Sequence, residues 1–251
     1  MSGTRVSGVD DLTIDNNLFA EGEIGIAMAG NGNFVYTHIN SVISNNVFTD
    51  ISRTRPTTGT LSWGITVDNN DNVDYLNNLF VNPNNGGNSY VSYMQRANND
   101  VLIENNIAHG YDRAMRLVIG SPWQNVVIKE NQFVIPSGGT RPIVVHQGNF
   151  NGTTYTENEY FSNYDASRWF DSSGFHSLQE WRTVSEETNA ASSTYTPQDA
   201  GRNVDSYAAT LGIGSTLADF AREARKQSRI NWRSEYQAQA VNDYIREGYA
   251  D

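Results

Sequence analysis

An asparagine recurs along this chain, each time at the end of a strand-like apolar stretch and just before an aromatic or aliphatic side chain. The six positions are Asn17, Asn46, Asn78, Asn106, Asn131 and Asn158. Successive positions lie between 25 and 32 residues apart. A repeat of roughly 20–50 residues that tolerates insertions is typical of a solenoid. The repeat therefore predicts an architecture of stacked coils, in which outward side chains carry any function.

One copy of the repeat shows what a single coil contains. Leu61, Trp63, Ile65 and Val67 alternate with polar or small residues, and an Asn- and Asp-rich turn follows at 68–72. Such alternation predicts a strand with one buried face. The chain has 30 asparagines and 21 glycines, which suit many tight turns. The repeat is too short for a propeller blade, and it lacks the spaced leucines of a leucine-rich repeat. It therefore predicts a parallel β-helix.

The recurring asparagine has a physical role in stacked coils. Neighbouring strands lie ~4.8 Å apart, so turn amides can hydrogen-bond along the stack and satisfy backbone groups that would otherwise be buried unpaired. The side chains after the asparagines are expected to form an apolar column inside the coils: Phe19, Phe48, Phe80, Ile107, Phe133 and Tyr160. The repeated residues are therefore predicted to form the scaffold rather than the site.

The repeat loosens after Phe161, where the composition changes. An aromatic-rich segment then predicts a last irregular coil, and the Ser-, Thr- and Asn-rich segment 185–201 predicts a loop. Two amphipathic helices follow, with Thr216 and Ser234 as candidate N-caps. The predicted organisation is a β-helix over 1–184, a linker over 185–205 and a two-helix tail over 206–251 that packs on or caps the solenoid.

Charge and composition argue against several classes of partner. The chain has 17 Lys and Arg against 28 Asp and Glu, a net charge of −11, which argues against binding to a nucleic-acid backbone. It has no cysteine, so disulfides and thiolate metal sites are excluded. No apolar run reaches the length of a membrane span, and no membrane partner is expected. This composition fits an exported bacterial protein.

Coils such as LTIDNNLF at 12–19 and VISNNVF at 42–48 resemble the right-handed parallel β-helix repeat proteins of the pectate-lyase-like superfamily. The resemblance covers roughly residues 5–161. It implies an all-β fold, a right-handed parallel β-helix solenoid of about six to seven coils with a C-terminal helical tail. The tail from Ser206 onward resembles C-terminal segments of large secreted bacterial β-helix proteins, which implies a secreted or cell-surface location. The superfamily includes lyases, hydrolases, epimerases and non-catalytic surface modules, so the resemblance does not select an activity.

The signature motifs of the superfamily's activities are largely missing. The Gly-His-Gly of galacturonan hydrolases is matched only by Ala108-His109-Gly110, without paired aspartates. The Arg-x-Pro-x-x-Arg of pectate lyases is matched only by Arg141-Pro142, with no second arginine. Alginate and chondroitin lyases of this architecture use a lysine and an arginine on neighbouring coils, a pattern too loosely spaced to be recognised in a sequence.

Strand alternation nominates functional candidates on the outer face of the coils. Ile143 and Val145 are expected to point inward, which leaves His146 outward. The same argument on preceding coils completes an expected outward ladder of Asp68, Arg96, Arg116 and His146. A one-residue slip in register reverses each of these assignments.

This ladder offers the groups that β-elimination of an acidic glycan needs. A cation neutralises the substrate carboxylate and acidifies the adjacent C–H, and a base removes that proton. Arg116 or Arg96 is the candidate cation, and His146 is the candidate base because imidazole titrates near neutral pH. Candidate substrate contacts are Asp68, Trp63 and Tyr93. The alternative is a solvated or ion-paired surface for the charged residues and a core position for the aromatic ones.

Calcium is an open alternative as a cofactor. Asp68, Asp71 and Asp74 are interleaved with asparagines and can supply oxygen ligands. The glycine-rich nonapeptide calcium repeat is absent, and an ordinary Asn/Asp turn explains the same residues. No residue is therefore assigned as a metal ligand.

A basic segment near the C-terminus departs from the acidic character of the chain. Residues 222–233 hold five Lys and Arg against the single carboxylate of Glu223. A basic amphipathic helix can bind an acidic glycan, a membrane or nucleic acid. The favoured alternative is that it packs on the solenoid and pairs with acidic coils, because its apolar stripe is narrow.

Two functions from different classes fit these observations. One is an extracellular polysaccharide-active protein, a lyase that acts on an acidic glycan by β-elimination or the C-terminal part of one. The other is a non-catalytic carbohydrate-binding or cell-surface structural module, so whether the chain is an enzyme stays open. The exposed edge of the first coil further predicts that Met1–Phe19 is covered by another chain, by the C-terminal helices or by residues preceding Met1. Self-association through this coil is one form of that prediction.

Overall fold

The computed structural model describes residues 9–28, 38–51, 62–81, 89–120, 123–136 and 141–250. These residues form a parallel β-solenoid of about five turns, followed by C-terminal helices. The predicted parallel β-helix and helical tail are confirmed, with somewhat fewer turns than the six to seven expected.

The strands are short, apart from two that run around a corner of the coil. They are β1 (Val9–Asp10), β2 (Thr13–Asp15), β3 (Leu18–Gly22), β4 (Ile24–Met28), β5 (His38–Ser44), β6 (Val47–Ile51), β7 (Ser62–Leu76), β8 (Leu79–Val81), β9 (Ser89–Glu104), β10 (Ile107–His109), β11 (Arg113–Val118), β12 (Gln124–Lys129), β13 (Gln132–Ile135), β14 (Val144–Gln147), β15 (Thr153–Thr156), β16 (Glu159–Ser162), β17 (Phe170–Asp171), β18 (Phe175–His176) and β19 (Ala191–Ser192).

These strands line three faces of the coil. One face follows the asparagine turn and is a seven-stranded parallel sheet in the order β19-β16-β13-β10-β8-β6-β3. The other two faces are joined because β7 and β9 are long enough to belong to both. The first half of β7 pairs with β4, and its second half pairs with β5. The register between β7 and β9 shifts at Asp68 and Asn70, which marks the bend between the two faces.

The turn before the seven-stranded sheet depends on one residue in the left-handed region. Asn16, Asn45, Asn77 and Asn105 have φ between 54° and 56°. Glu130 and Glu157 take the same position in the next two coils, with φ of 54° and 57°. Asparagine tolerates this region better than most side chains, which explains why the repeat so often begins its turn with an Asn-Asn pair.

The second asparagine of each turn forms the predicted ladder. In each coil its backbone N–H and its Nδ2 both donate to the Oδ1 of the equivalent asparagine in the next coil. From Asn46 to Asn158 these distances are between 2.9 and 3.1 Å. From Asn46 to Asn158 the ladder residues are buried, so each lost bond would leave a polar group without water.

An aromatic column runs inside the coils beside the ladder. The rings of Phe19, Phe48 and Phe80 stack with centroids 4.7 and 4.5 Å apart. The expectation that Ile107 continues this column is wrong, because Ala108 is the residue in register with Phe80. Ile107 instead lies on the outer side, against the C-terminal helices. Tyr111 packs edge-on against Phe80 at 6.5 Å, in the space that the small Ala108 leaves.

The C-terminal end of the solenoid is closed. Glu187 lies at the ladder position 29 residues after Asn158 and accepts a 2.8 Å hydrogen bond from its Nδ2. The helix α1 (Leu178–Val184) places Trp181 over this end, where it is fully buried and stacks on Phe170 at 4.6 Å. The segment expected to be a loop therefore contributes the last ladder position, followed by β19.

Three further helices, α2 (Val204–Thr210), α3 (Leu217–Ala224) and α4 (Ala238–Gly248), pack on the outer face of the seven-stranded sheet. Short 3₁₀ turns occur at Ala166–Arg168 and Ser234–Tyr236. Val241 and Ile245 of α4 join Val47, Leu79 and Val81 in a second apolar core. This core ties the helices to the early coils.

Polar contacts fix the direction of α4 across the coils. Asn242 Nδ2 donates to Asn16 Oδ1 at 3.0 Å, in the first coil. Arg246 donates to the carbonyl oxygens of Asn46 and Asn77, at 3.2 and 2.7 Å, in the next two coils. The helix α4 therefore begins at the first coil and runs along the stack toward its closed end.

The N-cap expectations have different outcomes. Thr216 caps α3, since its hydroxyl accepts a hydrogen bond from the Asp219 N–H at 3.1 Å. Ser234 begins a 3₁₀ turn instead, and α4 starts after Gln237 without a side-chain cap. Within the described residues, none of the helices is long and apolar enough to cross a membrane.

Candidate functional site

The structure brings the four residues of the expected outward ladder to different places. His146 is fully buried, so its expected outward orientation is wrong. Its Nδ1 lies 2.9 Å from the Tyr155 hydroxyl and its Nε2 lies 3.0 Å from the Asn149 carbonyl oxygen. Burial lowers the pKa of His146. With both ring nitrogens occupied inside the coil, His146 is a core residue and not a base in an external site.

A second corner of the coil, where β11 and β14 begin, explains this error. There two consecutive residues are buried, Ala114 with Met115 and Ile143 with Val144. The alternation of inward and outward side chains is interrupted there, so every later residue of the strand faces the side opposite to the expected one. His146 is consequently in register with the buried Leu117, which faces the core.

Asp68 and Arg96 form a pair with each other. The Arg96 Nε lies 3.6 Å from Asp68 Oδ2, and Gln95 Nε2 donates to the same oxygen at 2.9 Å. Asp68 is 3% exposed. Burial raises its pKa, while the contacts with Gln95 and Arg96 oppose that rise. Arg96 has a φ of 61° and lies at the bulge of β9, so this pair stabilises the bend between two faces.

Arg116 does point outward, and the two aromatic candidates lie close to it. Its register partners are Tyr93 on one side and Val145 on the other. Its guanidinium carbon lies 5.4 Å from the centre of the Tyr93 ring. The Tyr93 ring is 5.0 Å from that of Trp63 on the previous coil. Trp63, Tyr93 and Arg116 therefore form one continuous outer surface.

This surface opens into a cleft of about 620 Å³ on the outer face of the solenoid. Four arginines, four aromatic residues, one carboxylate and three further residues line it: Arg113, Arg116, Arg141, Arg168, Trp63, Tyr90, Tyr164, Phe175, Asp171, Pro142, Val145 and Gln147. We call it the arginine cleft. It spans five neighbouring strands, β7, β9, β11, β14 and β17, from Trp63 to Asp171. At the strand spacing this is a length of about 19 Å.

The arginine cleft is cationic although the chain is acidic. Four of the 17 Lys and Arg side chains line it, against Asp171 as the acidic residue of the described lining. Within the described parts of the chain, Arg113, Arg116 and Arg168 take part in no ion pair. The cleft therefore gathers four positive charges in one place, with the carboxylates of Asp112 near Arg113 and of Asp165 near Arg168.

Arg113 lies half-buried beside two other arginines of the cleft. It donates a hydrogen bond to the Tyr90 hydroxyl, and its guanidinium carbon lies 5.0 Å from the centre of the Tyr90 ring. Burial lowers the pKa of Arg113; the like charges of Arg141 and Arg116 act in the same direction, and Tyr90 and Asp112 oppose it. Its Nε is buried without a hydrogen-bond partner among the described residues. A bound anion beside the accessible part of this guanidinium would offset the repulsion from Arg141 and Arg116.

Arg168 lies at the end of the cleft that the last coil forms. Its guanidinium carbon lies 3.9 Å from the centre of the Phe175 ring and 5.6 Å from that of Tyr164. Its Nε is also buried without a partner in the described part of the chain. The aromatic contacts hold the guanidinium in place without neutralising it, since a ring face attracts a cation but carries no net charge.

Sequence reasoning missed three of the four arginines, although a signal was present. Arg113, Arg141 and Arg168 are separated by 28 and 27 residues, which is the spacing of the asparagine repeat. A cation that recurs with the period of the coils lies on one face of a solenoid. The same period would therefore have grouped them without any structure.

The structure offers no support for a calcium site. Across the described ranges, no three His, Cys, Asp or Glu side chains are arranged to hold a metal ion. Asp71 instead accepts a hydrogen bond of 2.6 Å from Asn99. Burial, together with the nearby charge of Glu104, raises the pKa of Asp74.

Comparisons with known proteins do not add to this picture. No model of a protein family matches the chain, and neither a curated protein nor a solved structure matches it. The functional argument therefore depends on the arginine cleft alone.

Proposed function

We propose that the chain binds an acidic polysaccharide in the arginine cleft. The observation that carries the proposal is the group of four arginines on one face of an acidic protein, three of them without an ion-pair partner in the described chain. A carboxylated or otherwise anionic glycan would supply the missing negative charge. Guanidinium groups bind carboxylates through paired, charge-assisted hydrogen bonds.

The shape of the cleft favours a chain over a small anion. Its length of about 19 Å matches an extended oligosaccharide of several units better than a single sugar. Trp63 and Phe175 lie toward opposite ends, and aromatic side chains provide flat apolar surfaces on which sugar rings can stack. Alternating cationic and aromatic groups therefore fit a polymer that carries charge along its length.

This reading agrees with the resemblance to the pectate-lyase-like superfamily, to which we propose the chain belongs. Acidic polysaccharides of this kind occur outside cells, so the proposal includes a secreted or cell-surface location.

The binding test uses a panel of glycans and two matched variants. Affinity electrophoresis in gels containing polygalacturonate, alginate, chondroitin sulfate or neutral dextran would measure retardation of the chain. We expect retardation by at least one acidic glycan and none by dextran. The double variant Arg113→Gln and Arg116→Gln should lose this retardation. The control Arg222→Gln and Arg225→Gln makes the same charge change at the C-terminal end of α3. If the control loses as much affinity as the cleft variant, the proposal is wrong.

Lyase action is a second candidate, and one contact favours it. The Tyr90 hydroxyl is held by Arg113 inside the cleft, close to the cation that would face a substrate carboxylate. In β-elimination a base removes the C5 proton beside the carboxylate, a C4–C5 double bond forms as the C4–O4 bond breaks, and the leaving O4 takes up a proton from the protonated base or from water. Tyr90, in place of the buried His146, is the candidate base. Ultraviolet absorbance of the unsaturated product tests this, and Tyr90→Phe should abolish turnover while binding is retained.

A further inference from the structure

The segment between α3 and α4 presents two large apolar side chains to solvent. Ile230 is 96% exposed and Trp232 is 64% exposed. No other large apolar side chain in the described ranges is more than half exposed. Two such groups on one short segment, which the described chain does not cover, mark a candidate contact surface.

A tight turn carries the more exposed of these side chains. The Asn231 N–H donates to the Ser228 carbonyl oxygen at 3.0 Å, and the two residues form an antiparallel bridge. Arg229 and Ile230 therefore occupy the tip of a four-residue turn. We call residues 225–232, which contain this tip and Trp232, the basic turn.

The residue after the basic turn fixes its base to the helical tail. The Arg233 N–H donates to Gln227 Oε1 at 2.9 Å, and its Nη2 donates to the Glu223 carbonyl oxygen at 3.0 Å. The Arg233 guanidinium carbon lies 4.1 Å from the centre of the Tyr236 ring, which is buried against Phe220. The basic turn is thus held in one position before any partner binds, so binding costs little ordering.

Cations accompany the exposed apolar groups. Arg225, Lys226 and Arg229 are all exposed. Lys226 pairs with Glu223 at 2.6 Å, and Glu223 is the one carboxylate of residues 222–233. Among the described residues, Arg225 and Arg229 take part in no ion pair. The basic turn therefore combines an apolar tip with positive charge that the described carboxylates leave unpaired.

We propose that the basic turn docks on the surface of an anionic lipid bilayer. Lipid headgroups would face the cations, the indole of Trp232 would lie at the level of the headgroups, and Ile230 would reach the hydrocarbon. Ile230 decides between partners, because an aliphatic side chain has no flat ring to stack on a sugar or a base, whereas hydrocarbon accepts it. A polyanion in water would use the cations and leave Ile230 exposed.

This contact is peripheral and separate from the arginine cleft. The expectation of no membrane partner depended on the lack of an apolar run that could span a bilayer, and a docking turn needs no such run. The helices that hold the basic turn pack on the seven-stranded sheet, whereas the cleft lies along β7 to β17 of the other sheet. Lipid docking and glycan binding can therefore be tested independently.

Cosedimentation of the full chain with extruded vesicles tests the apolar part of the contact. Vesicles of phosphatidylglycerol and phosphatidylcholine in equal parts should bind the chain, and vesicles of phosphatidylcholine alone should not. The double variant Ile230→Ser and Trp232→Ser should weaken binding about tenfold or more, because two apolar groups no longer enter the bilayer. Both side chains are exposed, so this variant should keep the thermal unfolding midpoint of the unmodified chain.

A matched pair of charge variants tests the cationic part. Arg225→Gln with Arg229→Gln should weaken binding to the anionic vesicles roughly thirtyfold, at about fivefold for each cation near an anionic surface. Arg113→Gln with Arg116→Gln removes the same charge from the arginine cleft, and this control should bind the vesicles as the unmodified chain does.

Tryptophan fluorescence adds a direct readout of insertion. Anionic vesicles should shift the emission of the unmodified chain to shorter wavelength, and Trp232→Phe should remove this shift. No binding to the anionic vesicles would overturn the proposal, as would an equal loss in the cleft control or binding that both variants of the basic turn leave unchanged. Retardation by an acidic glycan that Ile230→Ser with Trp232→Ser abolishes would also overturn it, because the basic turn would then be a glycan contact.

Discussion

The Nδ2 group of Asn158 donates a 2.8 Å hydrogen bond to the carboxylate of Glu187, and this contact ends the asparagine ladder. Two further donors converge on the same carboxylate, the Tyr160 hydroxyl at 3.0 Å and the Trp181 Nε1 at 2.7 Å. An acceptor with two oxygens receives all three donors, which an asparagine at this position could not do. Glu187 therefore stops the repeat and anchors the covering tryptophan.

Glu187 should make stability depend on pH. Burial raises the pKa of Glu187 above its usual value of 4.5 in spite of these hydrogen bonds. A carboxyl group with a raised folded pKa stabilises the fold below its unfolded pKa and loses that contribution as the pH rises through the folded pKa. Glu187→Gln should therefore flatten the fall in unfolding free energy above pH 4.5, measured by urea unfolding. An unchanged pH profile would contradict this role.

His146 should give the opposite pH dependence. Burial lowers the pKa of His146 below 6.5, so the neutral ring stabilises the fold above that pH. This contribution is lost as the pH falls below 6.5, because the unfolded chain binds a proton more readily. His109 acts in the same direction, since burial lowers its pKa to about 4. Thermal unfolding from pH 7.5 to 5 should show a falling midpoint, with a smaller fall for His146→Gln. An equal fall in both proteins would refute the assignment.

A ladder asparagine in the middle of the stack should be costly to remove. Asn78→Ala deletes the Oδ1 that accepts both the backbone N–H and the Nδ2 of Asn46, at 3.1 and 3.0 Å. We expect a loss of about 2–4 kcal/mol in the free energy of unfolding, because buried donors lose their acceptor. The control is Asn17→Ala at the open end of the ladder, which should cost under about 1 kcal/mol. Similar losses for the two variants would argue against the ladder as a source of stability.

Gly64 should not tolerate a side chain. A Cβ at this position would lie 2.7 Å from both the Phe80 ring and the Val91 carbonyl oxygen. Gly64→Ala should therefore lower the free energy of unfolding by about 1–3 kcal/mol, as overpacking of a core does. Gly120→Ala is the matched control, since no atom lies within 4 Å of its Cβ. If the two variants unfold at the same urea concentration, the close contact at Gly64 is not real.

The scaffold could be predicted because its causes are local and periodic. The asparagine at each turn and the alternation of each strand follow from hydrogen bonding and burial within one repeat, and both are visible in the sequence. Corners were not predictable in the same way. Two consecutive inward residues such as Ile143 and Val144 depend on how far the coil turns, and this shifted His146 from the expected outer face to the core.

The site was predicted only in part. Arg116 lies outward as expected, with Trp63 and Tyr93 beside it, because no corner intervenes between Met115 and Leu117. Asp68 and Arg96 lie at a bulge, which a strand pattern does not reveal. Arg168 comes from the irregular last coil, where its spacing of 27 residues from Arg141 is the one sequence signal that places it on the same face. Its place in the cleft depends on contacts with Tyr164 and Phe175 that only the folded chain brings together.

The most direct test of the central claim is the affinity of the chain for an oligosaccharide of an acidic glycan as a function of salt concentration. Isothermal titration of the unmodified chain should show binding that weakens as salt increases, because charged groups form the contact. Arg113→Gln should weaken binding about tenfold or more and reduce the salt dependence, while Arg222→Gln should change neither. An affinity that does not change with salt concentration would contradict the arginine cleft as the binding site. So would an affinity that the double variant Arg113→Gln and Arg116→Gln leaves unchanged.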